Sequence, residues 1–202
     1  REAHTDIQAV RVEGLKSAGV AVSTNVFHVL SRGAMSQAAL ARFCAANPGR
    51  RDRGRIVPDF MFNAGAAGVD RLADVKTHAF SPQSPYYTRA IIDGPSTPVD
   101  SRASAVHSAY MAHARAIDRD YNNTVAGADT PGPMQLALSA FGDVVGLAVG
   151  HFGEAATPIH QLLNHVANRV GDAKWVAMGA ASAEDAVHMV RHTLYKKWGV
   201  TF

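Results

Sequence analysis

The chain has 202 residues, of which 47% are hydrophobic and 18% charged. These are the proportions of a globular domain with a substantial core, not of a disordered or fibrous chain. Twenty lysines and arginines against 17 acids leave a formal charge of +3, a mild bias toward polyanions. No apolar run approaches the roughly 18 residues of a membrane span, and the opening REAHTDIQAV lacks the apolar centre of a secretion signal. The single Cys44 excludes an internal disulfide and a cysteine-built zinc site.

The expectation is therefore no membrane partner and a reducing, intracellular compartment, nuclear or cytoplasmic. Because the chain starts at Arg1, it reads as one domain, 1–202, excised from a larger polypeptide.

In chain order, Ile7, Val10, Gly14, Leu15 and Ala18 recur at three- and four-residue spacings, which predicts a helix from about Ala3 to Ala18, closed by Gly19. Val20, Val22, Val26, Phe27 and Val29 are rich in β-branched and aromatic types and predict a strand. Ser36 caps a short helix reaching about Ala46. Ile56–Phe62 and Arg71–Thr77, separated by the turn-like Asn63-Ala64-Gly65-Ala66-Ala67-Gly68, predict a hairpin. His78–Pro98 holds four prolines and reads as a long irregular loop.

Asp100 or Ser101 caps a long helix to Tyr121, with Ala103, Val106, Tyr110, Ala114, Ile117 and Tyr121 as its core stripe. Met134–Phe141 predicts another strand, ended by Gly142. Thr157-Pro158 opens a helix to about 170, and Ser182 opens one to Trp198-Gly199. No fixed-period repeat is present. The pattern is an α/β or α+β sandwich.

Asp59, Asp74 and Lys76 stand where charge is rare, inside short apolar, strand-like runs. Residues i and i+2 of a strand share a face, so Asp74 and Lys76 project together while Val75 packs on the other side. The hairpin brings Asp59 toward them, with Pro58 forcing extended geometry on Val57 and favouring a sheet edge. Two carboxylates held close repel each other unless a proton or cation lies between them, and a hard ion such as Mg²⁺ or Mn²⁺ serves that purpose. Such an ion, with a lysine beside it, is the equipment of phosphodiester hydrolysis.

Pro58-Asp59, fifteen residues to Asp74, then Asp74-Val75-Lys76, resembles the signature of the PD-(D/E)XK nuclease superfamily. The resemblance implies an α/β fold with the αβββαβ restriction-endonuclease-like core, a mixed central sheet flanked by helices, and extra helices at the C-terminus. It implies a Mg²⁺- or Mn²⁺-dependent endonuclease in which Asp59, Asp74 and the Val75 carbonyl bind the ion and Lys76 positions the water. DNA is favoured over RNA as substrate, and the parent protein would be of a mobile-element or repair type.

Many members of that family carry a glutamate on the first helix. Here Glu13 falls on the solvent side, whereas His4 and Gln8 share the face of Ile7, Arg11 and Leu15, making His4 the candidate extra ligand. A histidine there is similar to the cap-snatching RNA endonucleases of segmented negative-strand viruses, although the additional acid those carry is missing from Val20–Asn47. The alternatives are therefore such an RNA endonuclease, or a non-catalytic module binding nucleic acid or protein on the same fold.

For nucleic-acid contact, Arg51, Arg53 and Arg55, with Arg50, form a basic cluster, and Tyr87 and Arg89, beside Tyr86, offer stacking and phosphate contact. A solvated loop and tyrosines pinned to the core are the alternatives. Arg115, Asp118, Arg119 and Asp120 read as a solvated helix face. His188 and His192 have zinc-pair spacing without the His-Glu-x-x-His pattern, and His160 and His165 point apart. Cys44 reads as a small buried residue. Nucleophile-elbow, phosphate-loop and dinucleotide-binding motifs are absent.

Overall fold

A computed structural model describes residues 2–48, 57–63, 70–78, 98–124, 130–150 and 153–200. The elements are α1 (Glu2–Ser17), β1 (Ala21–Ser23), α2 (Val26–Ala34), α3 (Gln37–Ala46), β2 (Phe60–Asn63), β3 (Arg71–His78), α4 (Pro98–Tyr121), α5 (Pro133–Ser139), β4 (Val145–Gly150), α6 (Thr157–Lys174) and α7 (Ala183–Trp198). The strands form one sheet in the order β1-β2-β3-β4, antiparallel across the first two junctions and parallel across the last. The protein is thus an α/β fold with a mixed four-stranded sheet flanked by helices. No helix among the described residues is long and apolar enough to cross a membrane.

Strand alternation divides the core in two. Phe60, Phe62, Ala73, Val75, Leu147 and Val149 face one way and pack with Val12 and Leu15 of α1, Ile159, Leu163 and Val166 of α6, and Leu194 and Trp198 of α7. Leu72 faces the other way, toward Leu30 of α2, Phe43 of α3, Val106, Tyr110, Ala114 and Ile117 of α4, and Met134 and Leu138 of α5. The stripe read from the sequence of α4 is the stripe that is buried, Tyr121 being half-exposed. Replacing a side chain as enclosed as Phe60 by alanine costs about 3–5 kcal/mol.

Two predicted strands are corrected. Val26–Val29 is helical, and the first strand is only Ala21–Ser23, because Val26, Leu30 and Ala34 recur four apart and are all buried. Met134–Phe141 is not a strand either. Pro133 occupies the first turn of α5, Met134 and Leu138 pack one turn apart, and the strand lies further on at Val145–Gly150.

Gly146 is required on that strand: a Cβ there would strike the Ala103 backbone, so the glycine lets α4 lie directly on β4. Capping follows the sequence at α3, where Ser36 Oγ accepts from Ala39 N at 3.1 Å, and at α7, where Ser182 Oγ accepts from Asp185 N at 3.1 Å.

Asp118 corrects the solvated-face reading of its segment. It is buried and accepts from Met134 N at 2.7 Å, Gln135 N at 3.0 Å and Asn122 Nδ2 at 2.7 Å, so it caps α5 from the end of α4. Arg115 and the Arg119–Asp120 pair are exposed, as expected. The predicted loop from His78 to Pro98 falls largely on residues 79–97, outside the described residues.

Candidate active site

The β2–β3 ladder pairs Phe62 with Arg71, Met61 with Leu72 and Phe60 with Ala73. One step further the same register sets Asp59 opposite Asp74, and directly opposed residues of an antiparallel pair project to the same face. Pro58 carries no N–H and cannot continue the ladder. The Asp59 side chain takes over, its Oδ2 accepting the Val75 N–H at 2.7 Å. The N–H and C=O of one strand residue lie on the same edge, so the Val75 carbonyl also lies on the Asp59 side of β3.

Asp74 is 3% exposed. Burying a carboxylate costs several kcal/mol unless partners compensate, and two are present. Tyr110 of α4 donates its hydroxyl toward Oδ1 at 3.0 Å. The Lys76 ammonium forms an ion pair with Oδ2, and among the described residues no other donor reaches that oxygen. Asp74 and Lys76 thus share a face, as the i, i+2 spacing predicts, with the lysine side chain 35% exposed.

Two residues hold the segment bearing Asp59 beyond the end of the ladder. The Tyr110 hydroxyl also lies 3.2 Å from the Val57 carbonyl, and Gln8 Nε2 of α1 donates to the Asp59 carbonyl at 2.9 Å. The phenol has one proton and two acceptors, one from each half of the motif. Burial above all, then the charge and hydrogen bond of Asp74 and the charge of Asp59, push the Tyr110 pKa far above its ordinary value. The hydroxyl therefore remains a donor throughout the usable pH range.

Neither Tyr110 nor Gln8 was singled out by sequence as a site residue. The available signal was a tyrosine in the middle of a strictly buried stripe, since a buried phenol seeks a polar partner. His4 lies on α1 one turn before Gln8, with its side chain outside the described residues. Arg51, Arg53, Arg55, Tyr87 and Arg89 also lie outside them.

Arg11, on the same helix, is 2% exposed and stacks 4.9 Å from the centre of the Trp198 ring. Burial lowers its pKa to about 10. His188 and His192 are exposed on α7, His160 Nδ1 lies 2.7 Å from the Tyr195 hydroxyl, and Cys44 is half-buried. Among the described residues no three of His, Cys, Asp and Glu come together as a metal cluster.

A hard divalent ion fits the donor chemistry that is present: two carboxylates and a main-chain carbonyl, all oxygen, with one carboxylate oxygen buried and, among the described residues, answered only by an ammonium. No protein-family model, curated protein or solved structure matches the chain.

Proposed function

We propose that the chain is a metal-dependent nuclease of the PD-(D/E)XK type, built on that family's αβββαβ core, which hydrolyses phosphodiester bonds in DNA in preference to RNA. The observation that carries the reading is that the Asp59 carboxylate bonds the N–H of Val75, the residue between Asp74 and Lys76, whose side chains pair with each other, at the point where the β2–β3 ladder ends. Leaving aside α2 and α3 between the first two strands and α5 before the last, the order of helix, three antiparallel strands, helix and a strand parallel to the third is consistent with that core.

Asp59, Asp74 and the Val75 carbonyl would hold Mg²⁺ or Mn²⁺, with His4 a further candidate. When bound, such an ion acidifies water and offsets charge developing on a phosphate. Lys76, partly exposed beside Asp74, orients the attacking water and stabilises negative oxygens of the pentavalent transition state through its ammonium. Tyr110 fixes the Asp74 carboxylate, and Gln8 fixes the main chain of Asp59. Enclosure of Asp74 on the α4 face keeps water from screening these charges.

The test is cleavage of plasmid DNA and of single-stranded RNA with Mg²⁺ or Mn²⁺. Wild type should cut, DNA faster, and Asp74→Ala and Lys76→Ala should each lose at least about a hundredfold in rate, the scale of removing one transition-state hydrogen bond. Absence of cleavage on both substrates sinks the proposal. The alternative is a non-catalytic module that binds nucleic acid or protein on the same fold. It predicts nucleic-acid binding without cleavage.

A further inference from the structure

Beyond β4 the chain returns along the outer edge of the sheet. Gly150 N donates to the Glu154 carbonyl at 2.8 Å and Ala156 N to the Ala148 carbonyl at 2.9 Å, while Val149 and Ala155 form an antiparallel bridge. In that register Gly150 and Glu154 stand directly opposite each other, so their side-chain directions share a face.

The β3–β4 ladder says which face this is. It pairs Asp74 with Gly146, Lys76 with Ala148 and His78 with Gly150, and alternation along the strands puts Gly146, Ala148 and Gly150 on the face that carries Asp74 and Lys76. The contacts agree. A Cβ on Gly146 would strike Ala103 of α4, and Ala148 packs with Val99 and Ala103 of the same helix. A Cβ on Gly150 would overlap the Glu154 carboxylate. The half-buried Glu154 side chain therefore leans over β4 toward β3, and the glycine leaves it the room.

Distance decides what this third carboxylate can serve. Gly150 lies four residues beyond the level of Asp74, about 13 Å at 3.3 Å per residue, too far to share one coordination sphere with it. Lys76 stands halfway. Two residues along the strand and one strand spacing across put its Cα about 8 Å from that of Gly150, a gap its flexible four-carbon stem can close.

In the structure the Lys76 ammonium pairs with Asp74 Oδ2, while Oδ1 receives the Tyr110 phenol. A divalent ion and an ammonium on one oxygen repel each other, so Lys76 has to leave Oδ2 for an ion to be held there. We propose that Glu154 is the acceptor to which it moves: a positioning residue that takes over the Lys76 ammonium when Asp74 binds the ion, leaving further N–H donors for the attacking water or a phosphate oxygen. The inference rests on the nuclease reading for the ion and its role.

The experiment is calorimetric titration of Mn²⁺, without nucleic acid, into wild type, Glu154→Gln, Lys76→Met, the double variant and Glu13→Gln, an exposed control on α1 with the same charge loss. Lys76→Gln replaces Lys76→Met if the latter does not fold. Glu154→Gln should bind Mn²⁺ about fivefold more weakly than wild type, the scale of one partly exposed ion pair. Lys76→Met should bind it at least as tightly as wild type, since no ammonium then competes for Oδ2. With Lys76 already replaced, Glu154→Gln should change the dissociation constant by less than about twofold, as independent sites do, and so should Glu13→Gln in the wild-type background.

An unchanged Glu154→Gln, or the same loss with and without Lys76, the behaviour of a direct ligand or a structural part, would overturn the proposal and leave ion binding at Asp74 standing. A wild type that takes up no Mn²⁺ would overturn the ion and the proposal together. A Lys76-dependent effect of Glu154 in a protein that cuts neither plasmid DNA nor RNA would keep the exchange and remove the nuclease reading instead.

Discussion

Tyr110 and Asp74 meet inside the core at 3.0 Å, the phenol arriving from α4 and the carboxylate from β3. The contact gives a pH dependence with a definite sign. The folded-state pKa of Tyr110 lies above its unfolded value near 10, chiefly through burial and then through Asp74. The resulting stability is complete below pH 10 and declines above it, where only the unfolded chain releases the proton. Tyr110→Phe should cost about 1–3 kcal/mol at pH 7, since a buried carboxylate loses a donor. In urea melts at pH 7, 9 and 10.5, the gap between wild type and variant should narrow at the highest pH. A gap that widens there would contradict the assigned donor role.

Lys76 is expected to act on stability as well as on rate. Lys76→Met leaves Asp74 buried with the phenol as its remaining partner among the described residues. Breaking a fully buried pair costs about 3–5 kcal/mol, but the lysine is 35% exposed and water replaces part of its effect, so about 1–3 kcal/mol is expected. Asp74→Asn combined with Lys76→Met should recover most of the loss, because no buried charge is then left unmatched. A double-mutant cycle by denaturant melts measures this coupling, and additivity of the two single changes would show that the pair is energetically independent.

Asp118 provides a prediction remote from the site. Its carboxylate takes two N–H groups of the first turn of α5 from sixteen and seventeen residues away. Asp118→Ala should cost about 2 kcal/mol or more, at the upper end for a lost cap because the orphaned donors are buried. In a chain of this size that lowers the melting temperature by about 4–8 °C. Hydrogen exchange should locate the loss at α5, while protection of β3 remains.

What could be read from the sequence divides along physical lines. The α4 stripe, the helices of the C-terminal third and the hairpin carry their own periodicity, and the apposition of Asp74 with Lys76 follows from strand geometry alone. α2 was concealed because Val26, Phe27 and Val29 have strand propensity, whereas the buried spacing of Val26, Leu30 and Ala34 decides the outcome. β4 was concealed by Gly146 and Gly150, which resemble loop residues. The need for Gly146 comes from the Ala103 backbone on another element. Asp118 and Tyr110 were read by their neighbours on α4, but their partners lie on α5, β3 and the segment before β2. Pairings of that kind become visible only when the elements are packed.

Asp59 allows ion binding to be separated from folding. Its carboxylate accepts the Val75 N–H at 2.7 Å, and in Asp59→Asn the amide oxygen can accept the same hydrogen bond while the charge is removed. In the absence of metal this variant should melt at or slightly above the wild-type temperature, since it relieves repulsion between Asp59 and Asp74. Addition of Mn²⁺ at about a hundred times its dissociation constant should stabilise wild type by about 2.7 kcal/mol, a rise of several degrees that Asp59→Asn and Asp74→Asn should both lack. Differential scanning fluorimetry with Mn²⁺, Mg²⁺ and Ca²⁺ makes the comparison. A Mn²⁺-dependent rise of equal size in all three proteins would place the ion elsewhere, and no rise in wild type would remove the ion from the mechanism.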